Sequence, residues 1–210
     1  MRTGTILVAW LLVVGWQGVP AAPQGTVLPF SCATFGVHIS EADLKVRFGS
    51  GNVSSGLVPR GGAEGDYNEG TILFADRPDA RLEIYWKNQA ARRDPSWIDI
   101  RGTTSRWRSP AGVSLGTDLK TVERFNGRPF QIAGFGTDLS GGVYSWSGGQ
   151  LARQDVGGCR IGFRFVPPDV DKRPELRAFM RQVGDGRTYS SGHQAIQGLN
   201  PRVGEAVITY

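Results

Sequence analysis

The chain contains few of the residue types on which metal sites and nucleophilic catalysis depend. Its 210 residues include only two histidines, His38 and His193, and two cysteines, Cys32 and Cys159. The two histidines are far apart in the sequence, whereas zinc sites need ligands that are clustered at short spacing. A nucleophilic Cys32 served by His38 would lack a third residue to orient the histidine. The sequence therefore predicts no metal site, no cofactor and no cysteine-based catalysis.

The patterns of common hydrolase and phosphate-binding sites are missing as well. The serines of the segment 145–149 do not form a Gly-x-Ser-x-Gly elbow, and no glycine-rich loop is followed by the Lys-Ser/Thr pair that binds phosphate. The acidic loop 64–70 does not have the spacing of an EF-hand. Glu64, Asp66 and Asp138 are the remaining acids for a hydrolase, but no sequence feature brings them together. We predict no catalytic residue, and enzymatic activity stays an open question.

The N-terminus has the layout of a secretory signal peptide. Arg2 precedes the apolar run 6–14, and the segment that follows ends in small residues at Ala21 and Ala22. The run is shorter than the about 20 residues that span a bilayer. We predict a signal peptide at residues 1–21, cleavage near Ala21, and a periplasmic or secreted product without a transmembrane segment. A retained membrane anchor is the alternative.

The interpretation of the two cysteines depends on the predicted export of the chain to an oxidising compartment. Such a pair in an exported chain favours one structural disulfide, so we predict a bond between Cys32 and Cys159. Removal of the leader takes one arginine and no acid from a net charge of +5, which leaves about +4, and this modest excess permits binding to anionic surfaces. Nucleic acid is a poor partner for an exported protein. An envelope protein or an anionic envelope glycan or lipid fits better.

Alternation of apolar and polar residues predicts strands through much of the chain. It is clearest in the segments 82–86, 97–101 and 159–166, and residues rich in β-branched and aromatic side chains add 71–74 and 206–210. Half-buried antiparallel strands have this pattern, whereas parallel strands are apolar on both faces. The sequence therefore predicts an α+β fold, a mostly antiparallel sheet with a few short helices.

Three short helices are predicted between the strands, from capping residues at their starts and glycines at their ends. Their predicted bounds are Ser40 to Gly49, Thr117 or Asp118 to Gly127, and Pro174 to Gly184. The first two helices each follow a short apolar strand and precede further strands. A degenerate duplication is one interpretation of this similarity, and coincidence is the other. On the first interpretation the mature chain divides into two similar helix-plus-sheet units, residues 22–107 and 108–210.

The segment 126–149 is the most distinctive part of the sequence. It holds seven glycines between Gly127 and Gly149, with four aromatic residues spaced among them. Dense glycine indicates backbone at positive φ or a close approach between chains. Aromatic residues between such turns indicate short strands. We predict strands near 130–133 and 143–146, joined by a glycine-rich corner at 134–142.

The run 112–142 resembles a pattern found in uncharacterised secreted or lipid-anchored bacterial proteins. There a Gly-Thr-x-Leu stretch opens a helix that ends in Asn-Gly-Lys/Arg-x-Phe, and a Gly-Phe-Gly-x-Asp corner follows. The positions that carry the resemblance are Gly116, Leu119, Asn126, Gly127, Phe130, Gly134, Phe135, Gly136 and Asp138. Relatives have Trp-Asp-Tyr at the corner, where this chain has Thr137 and Leu139, so a binding surface made by those rings would be lost. The resemblance implies no activity, cofactor or catalytic residue.

A basic stretch at residues 87–108 interleaves arginines with Trp97 and Trp107. Arginine and aromatic rings together bind phosphates, sulfates or sugar rings. The alternative is a set of strands with one solvated basic face and with the tryptophans in the core. Our leading hypothesis is a non-catalytic binding or inhibitory module of the bacterial cell envelope, and the alternative is a hydrolase of envelope polymers. The candidate binding residues are Arg106, Trp107, Arg108, Phe135, Asp138 and Trp146.

Overall fold

The computed structural model describes residues 25–59, 65–136, 140–154, 157–184 and 186–210. The predicted signal peptide and its cleavage point at Ala21 lie outside the described residues, as do Glu64 and Asp138. Within these ranges, no helix has both the length and the hydropathy that a membrane span requires.

The fold is α+β and mostly antiparallel, as the sequence predicts. In the described ranges the strands are β1 (Leu28–Pro29), β2 (Val53–Pro59), β3 (Tyr67–Leu73), β4 (Leu82–Asn88), β5 (Arg93–Arg101), β6 (Trp107–Arg108), β7 (Gln131–Ala133), β8 (Val143–Ser145), β9 (Arg160–Val166), β10 (Thr188–Ser190) and β11 (Arg202–Thr209). The α-helices of the same ranges are α1 (Glu41–Phe48), α2 (Leu119–Asn126), α3 (Arg177–Met180) and α4 (Gln194–Leu199). Short 3-10 turns lie at Ser50–Asn52, Gln150–Gln154 and Pro174–Leu176.

The first two predicted helices are confirmed with their caps. Ser40 and Asp43 form a reciprocal capping box before α1, and Gly49 follows its end with φ 87°. Asp118 caps α2 by accepting a hydrogen bond from the N–H of Thr121, and Gly127 ends it in the left-handed region. These local signals are sufficient because each satisfies backbone groups that a helix end leaves without partners.

The third predicted helix is shorter than expected, and α4 was not predicted. Pro174 opens a 3-10 turn, and the α-helical part ends at Met180 rather than near Gly184. Helix α4 has only six residues and begins after His193, whose ring accepts a hydrogen bond from the N–H of Ala195. Histidine is not among the residues preferred at this position, so the sequence carried no strong signal for this helix.

A six-stranded antiparallel sheet dominates the structure, with strand order β2-β3-β4-β5-β11-β9. The C-terminal strand β11 lies between β5 and β9. The smaller sheets are a three-stranded one, β10-β7-β8, and the parallel pair of β1 and β6. The large sheet thus takes strands from both of the predicted units, 22–107 and 108–210, and the division into two units stays a prediction.

One face of the large sheet is apolar and forms the core with the helices. Its buried residues include Ile84, Trp86, Ile98, Ile100, Phe163, Phe165, Ala206 and Ile208. The same core cluster contains Leu44 of α1, Leu119 and Val122 of α2, and Ile196 of α4. The alternation of apolar and polar residues that predicted the strands therefore corresponds to a buried face and an opposite face of the sheet.

The predicted disulfide is confirmed. Cys32 and Cys159 are bonded, with their Cα atoms 5.8 Å apart across a sequence separation of 127 residues. The bond ties the N-terminal segment to the residue that precedes β9. A cross-link that closes so long a loop stabilises the folded chain by about 4 kcal/mol in the chain-entropy model.

Candidate ligand-binding cleft

The face of the large sheet opposite the core carries a row of charged residues. Glu83 of β4 lies directly across from Asp99 of β5, and Arg101 lies across from Glu205 of β11. Glu205 in turn lies across from Arg164 of β9. Residues that are paired across strands point to the same face of a sheet, so acidic and basic groups from four strands meet here.

Ion pairs connect most of these groups. Nη2 of Arg81 lies 2.6 Å from Oε1 of Glu83, and Nε of Arg101 donates to Oε1 of Glu205 at 3.0 Å. Arg164 pairs with the other carboxylate oxygen of Glu205. Each of these two glutamates therefore has at least one guanidinium partner.

Asp99 is the exception in this row. It is 1% exposed, and neither of its carboxyl oxygens accepts a hydrogen bond from the described part of the chain. Nε of Arg101 lies 2.5 Å from its Oδ2, but the N–H of this nitrogen is directed at Glu205. A buried carboxylate without hydrogen bonds is costly, so the environment favours the neutral acid.

Burial raises the pKa of Asp99 from its ordinary value of 3.8 to about 8, and the negative charge of Glu205 adds to this, while Arg101 acts in the opposite direction. Glu83 also raises it. Like charges directly across a strand pair are destabilising, so a neutral Asp99 removes the repulsion from Glu83. Asp99 is therefore a carboxyl group that carries a proton near neutral pH.

Asp99 forms part of the wall of a cleft with a volume of about 370 Å³. The cleft is lined by Pro59, Tyr67, Pro78, Arg81, Glu83, Asp99 and Arg101. These residues come from the end of β2, the start of β3, the turn before β4, and the strands β4 and β5. Ligand sites in proteins have volumes of about 300–1,000 Å³, so the cleft lies at the small end of this range.

The cleft offers two kinds of contact to a ligand. Arg81 and Arg101 bring guanidinium groups, and Tyr67, which is 53% exposed, brings an aromatic ring. No group of three side chains able to hold a metal ion occurs among the described residues. The chemistry of the cleft is therefore that of polar recognition beside an aromatic and proline surface.

Two of the predicted binding residues, Trp107 and Phe135, belong to the core. Trp107 is 0% exposed and its Nε1 donates to the carbonyl oxygen of Ala80 at 2.7 Å. Its ring packs on Phe35 and Phe48 with centroids 5.6 Å and 5.8 Å away. Phe135 is 4% exposed. A side chain without exposed surface offers nothing to a partner in solution.

The other predicted binding residues do not form a common surface with the cleft. Trp146 is half-buried against Phe130, with ring centroids 5.0 Å apart. Arg106 donates to the carbonyl oxygen of Thr26 at 3.0 Å. Arg108 is exposed, whereas Asp138 lies outside the described residues. None of the described members of this set lines the cleft.

The arginines of the basic stretch 87–108 contact different parts of the structure and do not form one surface. Arg92 donates to the carbonyl oxygen of Gly70 and lies 3.4 Å from a carboxylate oxygen of Glu41 in α1, and Arg101 belongs to the charged row on the sheet. Trp97 is half-buried on the same strand as Asp99, two residues before it. Of the residues in this stretch, Asp99 and Arg101 line the cleft.

The glycine-rich corner packs closely against neighbouring backbone. A Cβ on Gly134 would clash with the carbonyl oxygen of Gly184, and a Cβ on Gly141 would clash with that of Phe165. Gly141 also has φ of 72°, where other residues are strained. These glycines are required by the geometry of the corner.

Sequence reasoning missed the site residues Asp99, Glu205 and Tyr67. Asp99 carries a weak local signal, because it stands between Ile98 and Ile100 on a strand whose other face is buried. That signal indicates only that the side chain lies opposite the core. The electrostatic effect of Glu205 on Asp99 depends on the placement of β11 beside β5.

The comparisons with known proteins give no match. No protein-family model, no curated protein and no solved structure shows significant similarity to this chain. The resemblance to secreted or lipid-anchored bacterial proteins stays a prediction.

Proposed function

We propose that this chain is an exported, non-catalytic binding module of the bacterial cell envelope, and that its ligand is a glycan held in the cleft beside Asp99. The observation that carries this proposal is the cleft of about 370 Å³, where the exposed Tyr67 lies beside two prolines and beside the charged side chains of Arg81, Glu83 and Arg101.

The composition of the cleft supports a sugar as the ligand. Tyr67 supplies an exposed ring and Pro59 and Pro78 supply apolar surface, on which the C–H face of a sugar ring can pack. Arg81, Glu83 and Arg101 supply the polar groups that hydroxyls need. Pockets that combine apolar walls with a few convergent polar groups are the usual form of small-ligand sites.

Export is supported by the disulfide and by the N-terminal sequence. The bond between Cys32 and Cys159 fits an oxidising compartment. The N-terminal pattern at residues 1–21 fits a cleaved leader. A periplasmic or secreted location is therefore part of the proposal.

The proposal is tested by measuring binding of the full exported chain to a panel of purified envelope glycans. We expect at least one glycan to bind, and Tyr67→Ala to weaken that binding about five-fold, because loss of one aromatic contact costs on the order of 1 kcal/mol. Tyr144→Ala is the matched control, because Tyr144 is 77% exposed and lies on β8 outside the cleft. It should leave the affinity unchanged.

Two results would count against the proposal. If no glycan of the panel binds, the proposal that the ligand is a glycan is wrong. Binding that Tyr67→Ala leaves intact but Tyr144→Ala weakens would place the ligand elsewhere on the protein.

A second candidate is a hydrolase of envelope polymers, and Asp99 is the acid beside the cleft whose pKa is raised. A carboxyl group with pKa of about 8 holds a proton at neutral pH, as a general acid must. Among the acids considered from the sequence, Asp66 is exposed and accepts a hydrogen bond from Asn68 at 3.2 Å. Glu64 and Asp138 lie outside the described residues.

The two candidates differ in their response to Asp99→Asn. Asparagine keeps the size and a hydrogen-bond donor of the neutral acid but cannot transfer its proton. A hydrolase would release reducing ends from envelope polymers, and Asp99→Asn would abolish that release while the glycan still bound. A binding module would release none with either form of the protein.

A further inference from the structure

We infer that the glycan extends from the cleft along β4 and β5 and lies across Tyr85 and Trp97, so that the protein binds chains of several sugars more tightly than short fragments. This inference rests on the proposed function, because it extends the ligand of the same cleft. The length of that ligand is not decided by the presence of the cleft alone.

A second row of side chains lies on the sheet face opposite the core, next to the charged row. Cross-strand pairing aligns four residues, one from each of β4, β5, β11 and β9: Tyr85, Trp97, Thr209 and Arg160. Residues that are paired across strands point to the same face. Ile98, the residue after Trp97, is buried in the core. These four residues, here called the aromatic row, therefore lie on the open face of the sheet.

The aromatic row is adjacent to the cleft. Glu83 and Asp99, which line the cleft, are paired across β4 and β5. Glu83 lies two residues before Tyr85, and Asp99 lies two residues after Trp97. Two residues along a strand span about 7 Å. A glycan in the cleft that extends by this distance along the two strands would therefore reach both rings.

Both aromatic residues are partly exposed. Tyr85 and Trp97 are half-buried, whereas Trp86, on the core face of the same sheet, is fully buried. Nε1 of Trp97 is a buried atom, so the surface that this side chain offers is carbon. The carbon surface of an aromatic ring can pack against the C–H face of a sugar. Trp97 is therefore suited to stacking on a sugar ring rather than to hydrogen bonding with it.

Two cations flank the rings. Lys87 follows Tyr85 by two residues on β4, and Arg160 lies at the β9 end of the aromatic row, and both are exposed. Within the described part of the chain, neither side chain has an ion pair or a hydrogen bond, whereas Arg101 is paired with Glu205. The N–H groups of Lys87 and Arg160 can therefore donate to the oxygens of a glycan.

The surroundings of the aromatic row fit a glycan better than a folded protein. The central part of a protein–protein interface is depleted of charged residues. The aromatic row is instead bordered by the charged row, in which Arg101 and Arg164 pair with Glu205. A glycan can hydrogen-bond to such charged groups through its hydroxyls while its ring faces pack on Tyr85 and Trp97.

The test measures binding of the full exported chain to fragments of two, four and six sugars, prepared from each envelope glycan of the panel. We expect the six-sugar fragment to bind about ten-fold more tightly than the two-sugar fragment, because it adds two aromatic contacts of moderate strength. Tyr67→Ala in the cleft should weaken the binding of every fragment by a similar factor, because each fragment occupies the cleft.

Variants of the aromatic row make the result specific. Trp97→Ala should lower the affinity for the six-sugar fragment about five-fold and leave that for the two-sugar fragment unchanged. Arg160→Gln alters only an exposed side chain, so it tests the row without disturbing the fold, and it should lower the six-sugar affinity about three-fold. Arg128→Gln, an exposed arginine that contacts Ser147, and Tyr144→Ala are the matched controls and should change neither affinity.

The outcomes separate this inference from the proposed function. If the affinity does not depend on fragment length and Tyr67→Ala still weakens it, the inference is wrong while the glycan cleft stands. If the affinity rises with length but Trp97→Ala and Arg160→Gln leave that rise unchanged, the longer chain lies elsewhere and the inference is also wrong.

Two other results would also overturn it. If Trp97→Ala changes no glycan affinity but abolishes self-association of the protein in sedimentation, the aromatic row binds a second copy of the chain. If no fragment of any length binds, the proposed function is wrong, and the inference fails with it.

Discussion

Replacement of Asp99 with asparagine should change the pH dependence of folding in a direction that the structure fixes. The pKa of Asp99 is about 8 in the folded protein and has its ordinary value of 3.8 when the chain is unfolded. Between these values the folded state holds a proton that the unfolded state has released. The free energy of unfolding must therefore fall as the pH rises from about 4 to about 8.

The magnitude follows from the size of this difference. Each pH unit between the folded and unfolded pKa is worth about 1.4 kcal/mol, which sets an upper limit of ~6 kcal/mol for a difference of about four units. Rearrangement of Arg101 toward the ionised carboxylate reduces the loss. We expect a measured loss of about 2–5 kcal/mol between pH 4.5 and pH 9.

The measurement is urea denaturation of the protein and of Asp99→Asn across this pH range, with the disulfide intact. Asparagine cannot ionise, so the variant should lack this loss and should be the more stable protein at pH 9. The carboxylates Glu41 and Asp118, whose pKa values are lowered, contribute equally to both proteins and cancel in the difference. A difference in stability that stays constant from pH 4.5 to pH 9 would refute a protonated Asp99.

Three further changes test the packing of the core and of the corner, each by urea denaturation. Replacement of Cys32 and Cys159 with serine should lower the free energy of unfolding by about 4 kcal/mol, and a loss below ~1 kcal/mol would contradict the loop-closure argument. Trp107→Ala should cost about 3–5 kcal/mol because the ring is fully buried, and a stable variant that has lost only ligand affinity would restore Trp107 as a binding residue. Gly141→Ala should cost at least ~1–3 kcal/mol because of its positive φ and its clash with the carbonyl oxygen of Phe165, and full stability would mean that the corner can rearrange.

The sequence by itself determined the elements whose signals are local. The alternation in 159–166 predicts a strand, and β9 has the expected buried positions. Ser40 and Asp43 predict the start of α1, because the capping box involves only groups within one turn. The two cysteines predict their bond, since a chain with only one pair of cysteines has one possible internal pairing. The strand and the helix start depend on residues that are close in the sequence. The disulfide has only one possible pairing.

Only the tertiary structure decided which residues form the candidate site. Backbone hydrogen bonds between strands are alike for almost any sequence, so the pattern of β11 does not state that it lies between β5 and β9. That placement brings Glu205 beside Arg101 and gives Asp99 a like-charged neighbour. Burial in the folded chain then raises the pKa of the Asp99 carboxyl. Long-range packing also placed Trp107 in the core. The sequence pattern alone did not decide this, because a tryptophan in an alternating pattern fits either a buried or an exposed face of a strand.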